Sequence, residues 1–534
     1  MAANYQPVAL EDFGGLDLRR DPQDANPVRA VSMKDIDLVQ PGRLKVRPGT
    51  TKIYSQTTTT GDWFRWMEPF RASGLSAPQI VVQNVTTGRL YSYNALTGAA
   101  IANYLPAGTT TPGYLYSSVM IGTPTGSNVM YLNVQGAGHP VKYDGTTFSV
   151  ISGIGETRFL AAQYPDNRMV LANYPASPYN SRVFFSQPND PETVNGDDYV
   201  DLLPGDGEQI IGMANFRNDL FVFKQNSFWR FYGNSTDATG GAIFNSVQTR
   251  HGLGTPYRSY GKMVTAGNEG VYFLGADGVY LTTGGAPQKI SQALDPLFNN
   301  DGTDALFSAY FGANTVLPEL YYVGGRLYLS WHETVNTTSM PAQVFVYDPT
   351  IQQWMYWRML DGRVANLYGI VGIKRSNLTE EVPHFLFTTT SGSTVNSVLS
   401  YLDPTQIYDQ DHATNVSLNG NYRTNFFDLG EQGSMKRARE TLFEGSMNAT
   451  TVQLSVDNST DAANAATGTV TTQVVSGSDT STWPDYRIGQ GRLRKAIRGS
   501  NVSVFITGTQ WHLNRVIFHV DAPRPAGIRK LTVG

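Results

Sequence analysis

The chain has 534 residues and a net charge of −4, with 40% hydrophobic and only 16% charged residues, so no global basic field attracts nucleic acid or anionic membranes. It contains no cysteine, which excludes disulfides, thiol catalysis and cysteine-ligated metals. A 12% share of aromatic residues, together with 53 glycines and 28 prolines, favours short strands joined by tight turns over long helices.

Residues 1–50 are predicted to form an N-terminal arm and a hairpin. No basic stretch followed by an apolar run opens the chain, so we expect no signal peptide. Apolar residues alternate weakly on both sides of Pro41-Gly42, which predicts a turn between two short strands. We expect this hairpin to pack on the following domain or to supply a strand that closes it. Residues 1–35 are expected to lie extended, over a neighbouring subunit or over their own domain.

Residues 51–420 are predicted to form a β-propeller of five or six blades. Runs of alternating apolar residues flank turns rich in Gly, Asp or Asn, and they start roughly every 50–80 residues. The exception is the last pair, at Gly325 and Gln343, which could be successive strands of one unit. A four-stranded blade cannot bury both of its faces alone, whereas a closed ring of blades does so with little exposed edge. The runs that carry this prediction start at Gly88, His139, Asp219, Glu269, Gly325 and Gln343.

Residues 421–525 are predicted to form a separate small β-sandwich, with an exposed loop at 458–482 that is rich in small residues, and residues 526–534 a C-terminal arm. The sandwich carries a basic cluster that could be a solvated loop or could form ion pairs between subunits. It could also contact a DNA backbone or an acidic surface of a neighbouring subunit. The cluster consists of Arg487, Arg492, Arg494, Lys495 and Arg498.

No catalytic or cofactor motif stands out. The seven histidines show no metal-ligand spacing, and no nucleophile elbow or phosphate loop is present, so we expect no metal and no cofactor. The sequence contains no run of about 18 apolar residues, so we predict no membrane-spanning helix. Acid pairs remain candidates for glycosidase chemistry, although each lies in a polar loop where Asp also supports turns. These pairs are Asp190/Glu192, Asp197/Asp198 and Asp409/Asp411.

The N-terminal segment carries a distinctive phrase, which consists of Phe13-Gly14-Gly15-Leu16-Asp17-Leu18, Asp21-Pro22, Ala30, Asp35-Ile36-Asp37-Leu38, Pro41-Gly42-Arg43-Leu44 and Arg47-Pro48-Gly49. This phrase resembles a recurring opening of tailed-bacteriophage structural proteins, and in particular of the tail nozzle, or tail tubular protein B, family of short-tailed phages. Weaker phrases at Arg182, Glu208 and His251 resemble strands and hairpins of the same family.

The resemblance implies a structural virion protein without enzymatic activity. In that family six copies form a ring below the portal and adaptor, retain the packaged genome, and let double-stranded DNA pass non-specifically through the lumen during ejection. Tail fibres or tailspikes attach nearby, and we expect assembly in the host cytoplasm and residence in the virion tail. A weakly charged chain suits a conduit, because phosphate contacts with Lys or Arg would slow translocation. Another phage connector or tail-tip protein, or a carbohydrate-active propeller such as a glycan depolymerase, remains the alternative.

Overall fold

The computed structural model divides the chain into two units, residues 48–352 with 358–416, and residues 1–47 with 353–357 and 417–534. Each unit is described separately below. The structure describes residues 5–19, 29–40, 42–58, 63–71, 75, 77–84, 87–104, 115–122, 127–134, 138–155, 157–163, 167–173, 179–236, 242–255, 262–298, 318–331, 342–375, 380–391, 394–412, 414–425, 427–428, 436–447, 450–456, 466–470, 473–474, 489–493, 497–499, 501–509 and 511–521.

The larger unit is an all-β propeller. It is built on six consecutive four-stranded antiparallel sheets, numbered here as blades 1 to 6 in chain order. Their strands are Phe64–Phe70, Gln79–Asn84, Leu90–Asn94 and Ala100–Tyr104; Leu115–Gly122, Asn128–Val134, Val141–Tyr143 and Phe148–Val150; Phe159–Gln163, Arg168–Ala172, Arg182–Gln187 and Asp190–Asp201; Gly212–Phe216, Asp219–Phe223, Ser227–Thr236 and Ala242–His251; Val264–Ala266, Val271–Gly275, Gly278–Thr282 and Gln288–Lys289; Glu319–Val323, Arg326–Trp331, Ala342–Asp348 and Gln353–Met359. Residues 353–357, in the last strand of blade 6, are the part of these sheets that is counted with the smaller unit.

Blade 7 takes its fourth strand from the N-terminal part of the chain. Strands Val364–Lys374, Glu381–Ser391 and Thr394–Asp403 follow in order, and Gly49–Thr58 pairs antiparallel with the third of them. The short strands Tyr408–Gln410 and Asn415–Ser417 extend the sheet. The first strand of each blade packs against the first strands of the two adjacent blades, and blade 7 meets blade 1. The ring of innermost strands is therefore closed.

The hydrophobic core is divided among the spaces between neighbouring blades. One cluster joins Met67 and Ile80 of blade 1 to Ile373 and Leu386 of blade 7, and similar clusters link the successive blades from 1 to 5. Burial follows this arrangement: all five residues of the second strand of blade 5 are buried, whereas Asp190–Asp201, the outermost strand of blade 3, is mostly exposed. Adjacent blades thus bury the faces that a single blade leaves exposed.

The propeller fold predicted from the sequence is confirmed, and the described residues contain seven blades rather than the expected five or six. The runs at Gly325 and Gln343 pair with each other as the second and third strands of blade 6, so they are successive strands of one unit. The turn before the first of these strands contains Gly324 and Gly325, whose φ values of +57° and +79° are those of a tight turn with two left-handed residues. The count was low because one blade is completed by a strand more than 300 residues away in sequence.

The smaller unit contains two sheets that form a β-sandwich, whose inward side chains include the fully buried Phe443, Ile506 and Phe518. The first sheet consists of Tyr5–Leu10, Ile36–Gln40, Arg43–Val46, Lys436–Met447, Gln473–Val474, Gly489–Leu493, Ile497–Gly499 and Trp511–Asp521. The second sheet consists of Ala30–Lys34, Gly420–Thr424, Phe427–Asp428, Thr450–Val456, Ala466–Val470 and Asn501–Gly508.

The N-terminal hairpin forms as predicted, between Ile36–Gln40 and Arg43–Val46, but its sheet partner differs from the expectation. It pairs with Trp511–Asp521 of the sandwich, and the strand that closes a blade is the following one, Gly49–Thr58. Within the predicted loop 458–482, residues 466–470 and 473–474 are strands, and the other positions lie outside the described residues. The predicted arm at 526–534 also lies outside them.

Helices are short and few in the described part of the chain. They are the 3₁₀ turns Tyr179–Ser181 and Gln292–Leu294 and the α-helical turn Asp295–Phe298. Over the described residues, no helix has the length and apolar character needed to cross a membrane.

Candidate functional site

The glycine-rich N-terminal phrase is a packing element of the smaller unit. The amide of Leu16 donates to the carbonyl of Trp354 at 2.7 Å, and the amide of Ala30 donates to the carbonyl of Gly15 at 3.0 Å. The hydroxyl of Tyr422 donates to the carbonyl of Gly14 at 3.0 Å. A Cβ at Gly15 would collide with the backbone of Trp354, so only glycine fits there.

The second half of the phrase is equally structural. Gly42 has a φ of +81°, and a Cβ there would approach the Asp12 Cα to 2.7 Å. Asp37 lies opposite Lys45 in the hairpin register. Arg47 is buried in an ion pair with Asp35 at 2.7 Å. The remaining predicted motif residues divide into Pro48 and Gly49, which open the propeller unit, and Asp21, Pro22 and Pro41, which lie outside the described residues.

The predicted basic cluster is only partly described. Arg492 and Arg498 lie on strands 489–493 and 497–499, which both pair with Lys436–Met447, at positions opposite Leu442 and Arg437. Arg487, Arg494 and Lys495 lie outside the described residues. Whether the cluster faces DNA or a neighbouring subunit therefore stays a prediction.

The first of the acid pairs found in the sequence has local structural partners. Glu192 accepts hydrogen bonds from the Lys142 ammonium at 2.7 and 2.8 Å, and its amide donates to Asp190 at 3.2 Å. Asp197 and Asp198 lie on the exposed outermost strand of blade 3.

Asp409 is fully buried and accepts from the amide of Leu360 at 3.0 Å and from the Thr50 hydroxyl at 3.3 Å. Asp411 accepts from the Thr389 hydroxyl at 3.1 Å. Neither residue of this pair lines the cavities described next. Among the described residues, no group of three or more His, Asp or Glu side chains could hold a metal ion.

Two adjoining cavities, of about 280 and 330 Å³, occupy the centre of the propeller. Glu68, Lys262 and Thr265 line both of them. The innermost strands of blades 1, 2, 5, 6 and 7 line the first cavity, and those of blades 1 to 5 line the second, so all seven contribute to the walls. Cavities of this size suit a small ligand.

The ammonium of Lys262 is the centre of a charged and aromatic cluster between the cavities. It forms an ion pair with Glu68 and lies 3.5 Å from the carbonyl oxygen of Met67. It also lies 5.5 Å from the centre of the Trp66 ring and 5.4 Å from that of Tyr321. The cluster therefore joins residues of blades 1, 5 and 6 around one positive charge.

A second carboxyl group, Glu319, lies beside this cluster and accepts a hydrogen bond from the Tyr321 hydroxyl. Burial raises the pKa of Glu319, against the opposing effect of the Tyr321 hydrogen bond and of the charges of Arg65 and Lys262. Burial and the neighbouring Glu319 carboxylate hold the pKa of Tyr321 well above its usual value. Glu319 itself is not among the residues that line the two cavities.

Sequence reasoning missed this cluster because its members are far apart along the chain. Glu68, Lys262 and Glu319 belong to three blades, and none lies in a short motif with recognisable spacing. Only an alignment of the innermost strands of the blades could have brought these positions together, and divergent repeats do not supply one.

Comparisons with models of protein families and with curated proteins find no match. Among solved structures, the chain is similar to a virginiamycin B lyase from Staphylococcus aureus, with 11% identity and a TM-score of 0.38, over 65% of this chain and 99% of that one. A puromycin-hydrolysing peptidase of Mycobacterium tuberculosis gives 13% identity and a TM-score of 0.36, over 72% of this chain and 61% of that one. An ancestral GH74 enzyme gives 11% identity and a TM-score of 0.37, over 68% of this chain and 54% of that one. The chain thus spans less than two thirds of the length of the last two.

These likenesses correct one prediction. The sequence predicted no enzymatic activity, but the similar solved structures include a lyase, a peptidase and a GH74 enzyme, so that prediction does not stand. At identities of 11–13% the likeness shows the fold alone, and it brings no reaction and no catalytic residue to this chain. What the comparisons establish is an all-β chain built around a propeller.

Proposed function

We propose that the chain is a structural protein of a short-tailed phage virion, a tail nozzle subunit whose copies surround the channel through which DNA leaves the particle. The observation that carries the proposal is the N-terminal phrase, whose described residues have defined structural roles. Gly15 permits close backbone packing, Gly42 adopts a left-handed turn, and Arg47 is held in a buried ion pair. A phrase that specifies such an element supports a shared architecture with the proteins it resembles.

The proposal includes a ring of six copies, an adaptor or portal-proximal protein as neighbour, and tail fibres or tailspikes as attached partners. Double-stranded DNA would pass through the lumen between copies without sequence-specific contacts. The net charge of −4 supports this, because a strongly basic lumen would bind phosphates and slow passage. Assembly in the bacterial cytoplasm and residence in the virion tail complete the proposal.

Particle mass and shape test this function. Mass photometry of the purified chain should give a species about six times the 58.6 kDa of one chain, and negative-stain images should show rings with a central hole. A chain that stays monomeric at micromolar concentration, or sixfold particles with no hole, would count against a conduit.

The five basic residues at 487–498 allow a sharper test, for which a variant with all five replaced by Gln is suitable. Loss of rings in this variant would place the cluster between subunits. Intact rings whose DNA affinity has a weaker salt dependence than wild type would place it toward the lumen. A variant with five basic residues of the propeller unit replaced, Arg71, Arg89, Lys142, Arg182 and Lys289, is the control for a general charge effect.

A connector or tail-tip protein of another phage would carry the same N-terminal phrase, and images of intact tails would distinguish it by position. The central cavities favour a further candidate, a carbohydrate-active propeller. A depolymerase should clear capsular polysaccharide on a plate and lose that activity in Glu68→Gln. Asp190→Asn/Glu192→Gln is the matched control, because those acids lie outside the cavities.

A further inference from the structure

The groups around the Lys262 ammonium form a cage for an organic cation. A carboxylate, a backbone carbonyl and two aromatic faces surround it, contributed by Glu68, Met67, Trp66 and Tyr321. A carboxylate compensates the charge, a carbonyl accepts an N–H, and aromatic faces within about 6 Å attract a cation through the ring quadrupole. None of these groups lies in the segment that carries Lys262, so the cage belongs to other blades and the lysine enters it from blade 5.

We propose that the centre of the propeller is a binding site for a primary alkylammonium group, that the chain fills this site with its own Lys262, and that the bound side chain closes the passage between the two central cavities. The inference is independent of the proposed virion role, since it concerns one propeller and needs no second copy.

The balance of charge at the site supports a cation as occupant. Glu68 is the carboxylate that pairs with the Lys262 ammonium, and Arg71 and Glu381, which also line the first cavity, pair with each other. Without the Lys262 ammonium, the Glu68 carboxylate would lose this ion pair while the Trp66 and Tyr321 rings remain at the site. A carboxylate close to two aromatic faces favours a cation over an anion or a neutral ligand.

The position of Lys262 supports its role as a barrier. Its side chain and that of Glu68 line both cavities, and their ion pair links blade 5 to blade 1. Lys262 is 27% exposed and Glu68 is 17% exposed, so most of the surface of both side chains is covered. Loss of the lysine side chain would join the cavities and leave a space shaped for propylammonium, which is the part of lysine beyond Cβ.

Chemical rescue tests the site. Lys262→Ala should melt below wild type, and n-propylammonium should raise its melting temperature saturably, with one site by calorimetry. The neutral analogue n-propanol should not do so. Adding Glu68→Gln to Lys262→Ala should weaken binding by about tenfold or more, because a hydrogen bond to a charged group is lost.

Wild type and Lys289→Ala are the matched controls and should show no saturable response. Lys289 is also a blade 5 lysine, but its ammonium pairs with Asp277 and Asp295. Equal responses to propylammonium in Lys289→Ala or wild type, or equal rescue by n-propanol, would overturn the proposal.

A second measurement covers the case in which Lys262→Ala does not fold. The chain has no cysteine, so Thr265→Cys places a single thiol in the wall shared by both cavities. Glu68→Gln keeps the volume of the side chain but removes the charge that holds Lys262. N-ethylmaleimide should then label the thiol about tenfold faster than with Glu68 intact. An unchanged labelling rate would show that the ion pair does not close the passage.

Discussion

Arg47 and Asp35 form an ion pair that is removed from solvent, with side chains at most 1% exposed. The Arg47 guanidinium also lies 5.9 Å from the centre of the Trp357 ring. Removing one partner of a buried pair leaves the other charge uncompensated, which costs about 3–5 kcal/mol. We expect Arg47→Met to lower the free energy of unfolding of the smaller unit by about this amount, measured by urea denaturation.

An exposed ion pair provides the comparison for this prediction. Lys142 and Glu192 are 34% and 38% exposed, so Lys142→Met should change stability by less than about 1 kcal/mol. Asp35→Asn combined with Arg47→Met should recover part of the loss, because no charge is then left buried. A loss below about 1 kcal/mol for Arg47→Met alone would contradict the argument.

The buried His384 in blade 7 should make the free energy of unfolding depend on pH in the acidic range. It is fully buried, its Nδ1 donates to the Val382 carbonyl at 2.9 Å, and its ring stacks on Tyr401. Burial lowers the pKa of His384 to about 4, from an ordinary value of 6.5. The unfolded chain therefore binds more protons between these values, so the stability contributed by neutral His384 is present above pH 6.5 and is lost as the pH falls toward 4.

Replacing the imidazole with a group that does not titrate tests this linkage. His384→Gln should lose less stability than wild type between pH 6.5 and 4, measured by denaturant unfolding at a series of pH values. Between pH 7 and 8, where both side chains are neutral, the unfolding free energies of the two proteins should change with pH by the same amount. Parallel curves for the two proteins would show that His384 is not the titrating group.

At the scale of elements, the strand Gly49–Thr58 begins at a glycine that is tightly packed against a neighbouring strand of the same sheet. A Cβ at Gly49 would collide with the backbone of Tyr408, whose carbonyl carbon and amide nitrogen would be only 2.7 and 2.8 Å away. Gly49→Ala must therefore push Gly49–Thr58 away from Tyr408–Gln410. We expect a loss of about 1–3 kcal/mol, as for other overpacked sites, measured by thermal and urea denaturation.

Gly196 provides the matched substitution. It lies on the exposed outermost strand of blade 3, and a Cβ there would meet no atom within 4 Å. Gly196→Ala should therefore change stability by less than about 0.5 kcal/mol. Equal effects of the two substitutions would indicate that backbone entropy, rather than the collision with Tyr408, determines the result.

Local elements were predictable where alternation and turn chemistry coincide. The hairpins at Asp219 and Glu269 form as expected, because their apolar faces pack against each other between blades 4 and 5. The partner of the N-terminal hairpin was not predictable. Alternation shows that a strand has one buried face, but it does not say which sheet buries that face.

At the scale of the molecule, long-range pairing decided both the blade count and the candidate site. Blade 7 needs a strand from residues 49–58, and the central cage needs Glu68, Lys262 and Tyr321 from three blades. Neither arrangement leaves a local signature, because each residue satisfies its own strand pattern and acquires its partner only when the ring closes. The absence of a short catalytic or cofactor motif from the sequence was therefore only weak support for the prediction that the chain has no catalytic site.

Ring closure by the strand Gly49–Thr58 yields the last prediction. This strand pairs with Thr394–Asp403 along nearly its full length, and the core cluster between blades 7 and 1 lies next to it. Without it, the third strand of blade 7 presents an unpaired edge and the cluster is exposed on one side.

A chain that begins at Pro48 should keep a cooperative propeller melting transition and its near-ultraviolet circular dichroism. A chain that begins at residue 59 should lose both. The two shortened chains lack residues 1–47 equally, so any difference between them reports on the closing strand. Equal melting would mean that the packing between blades closes the ring without that strand.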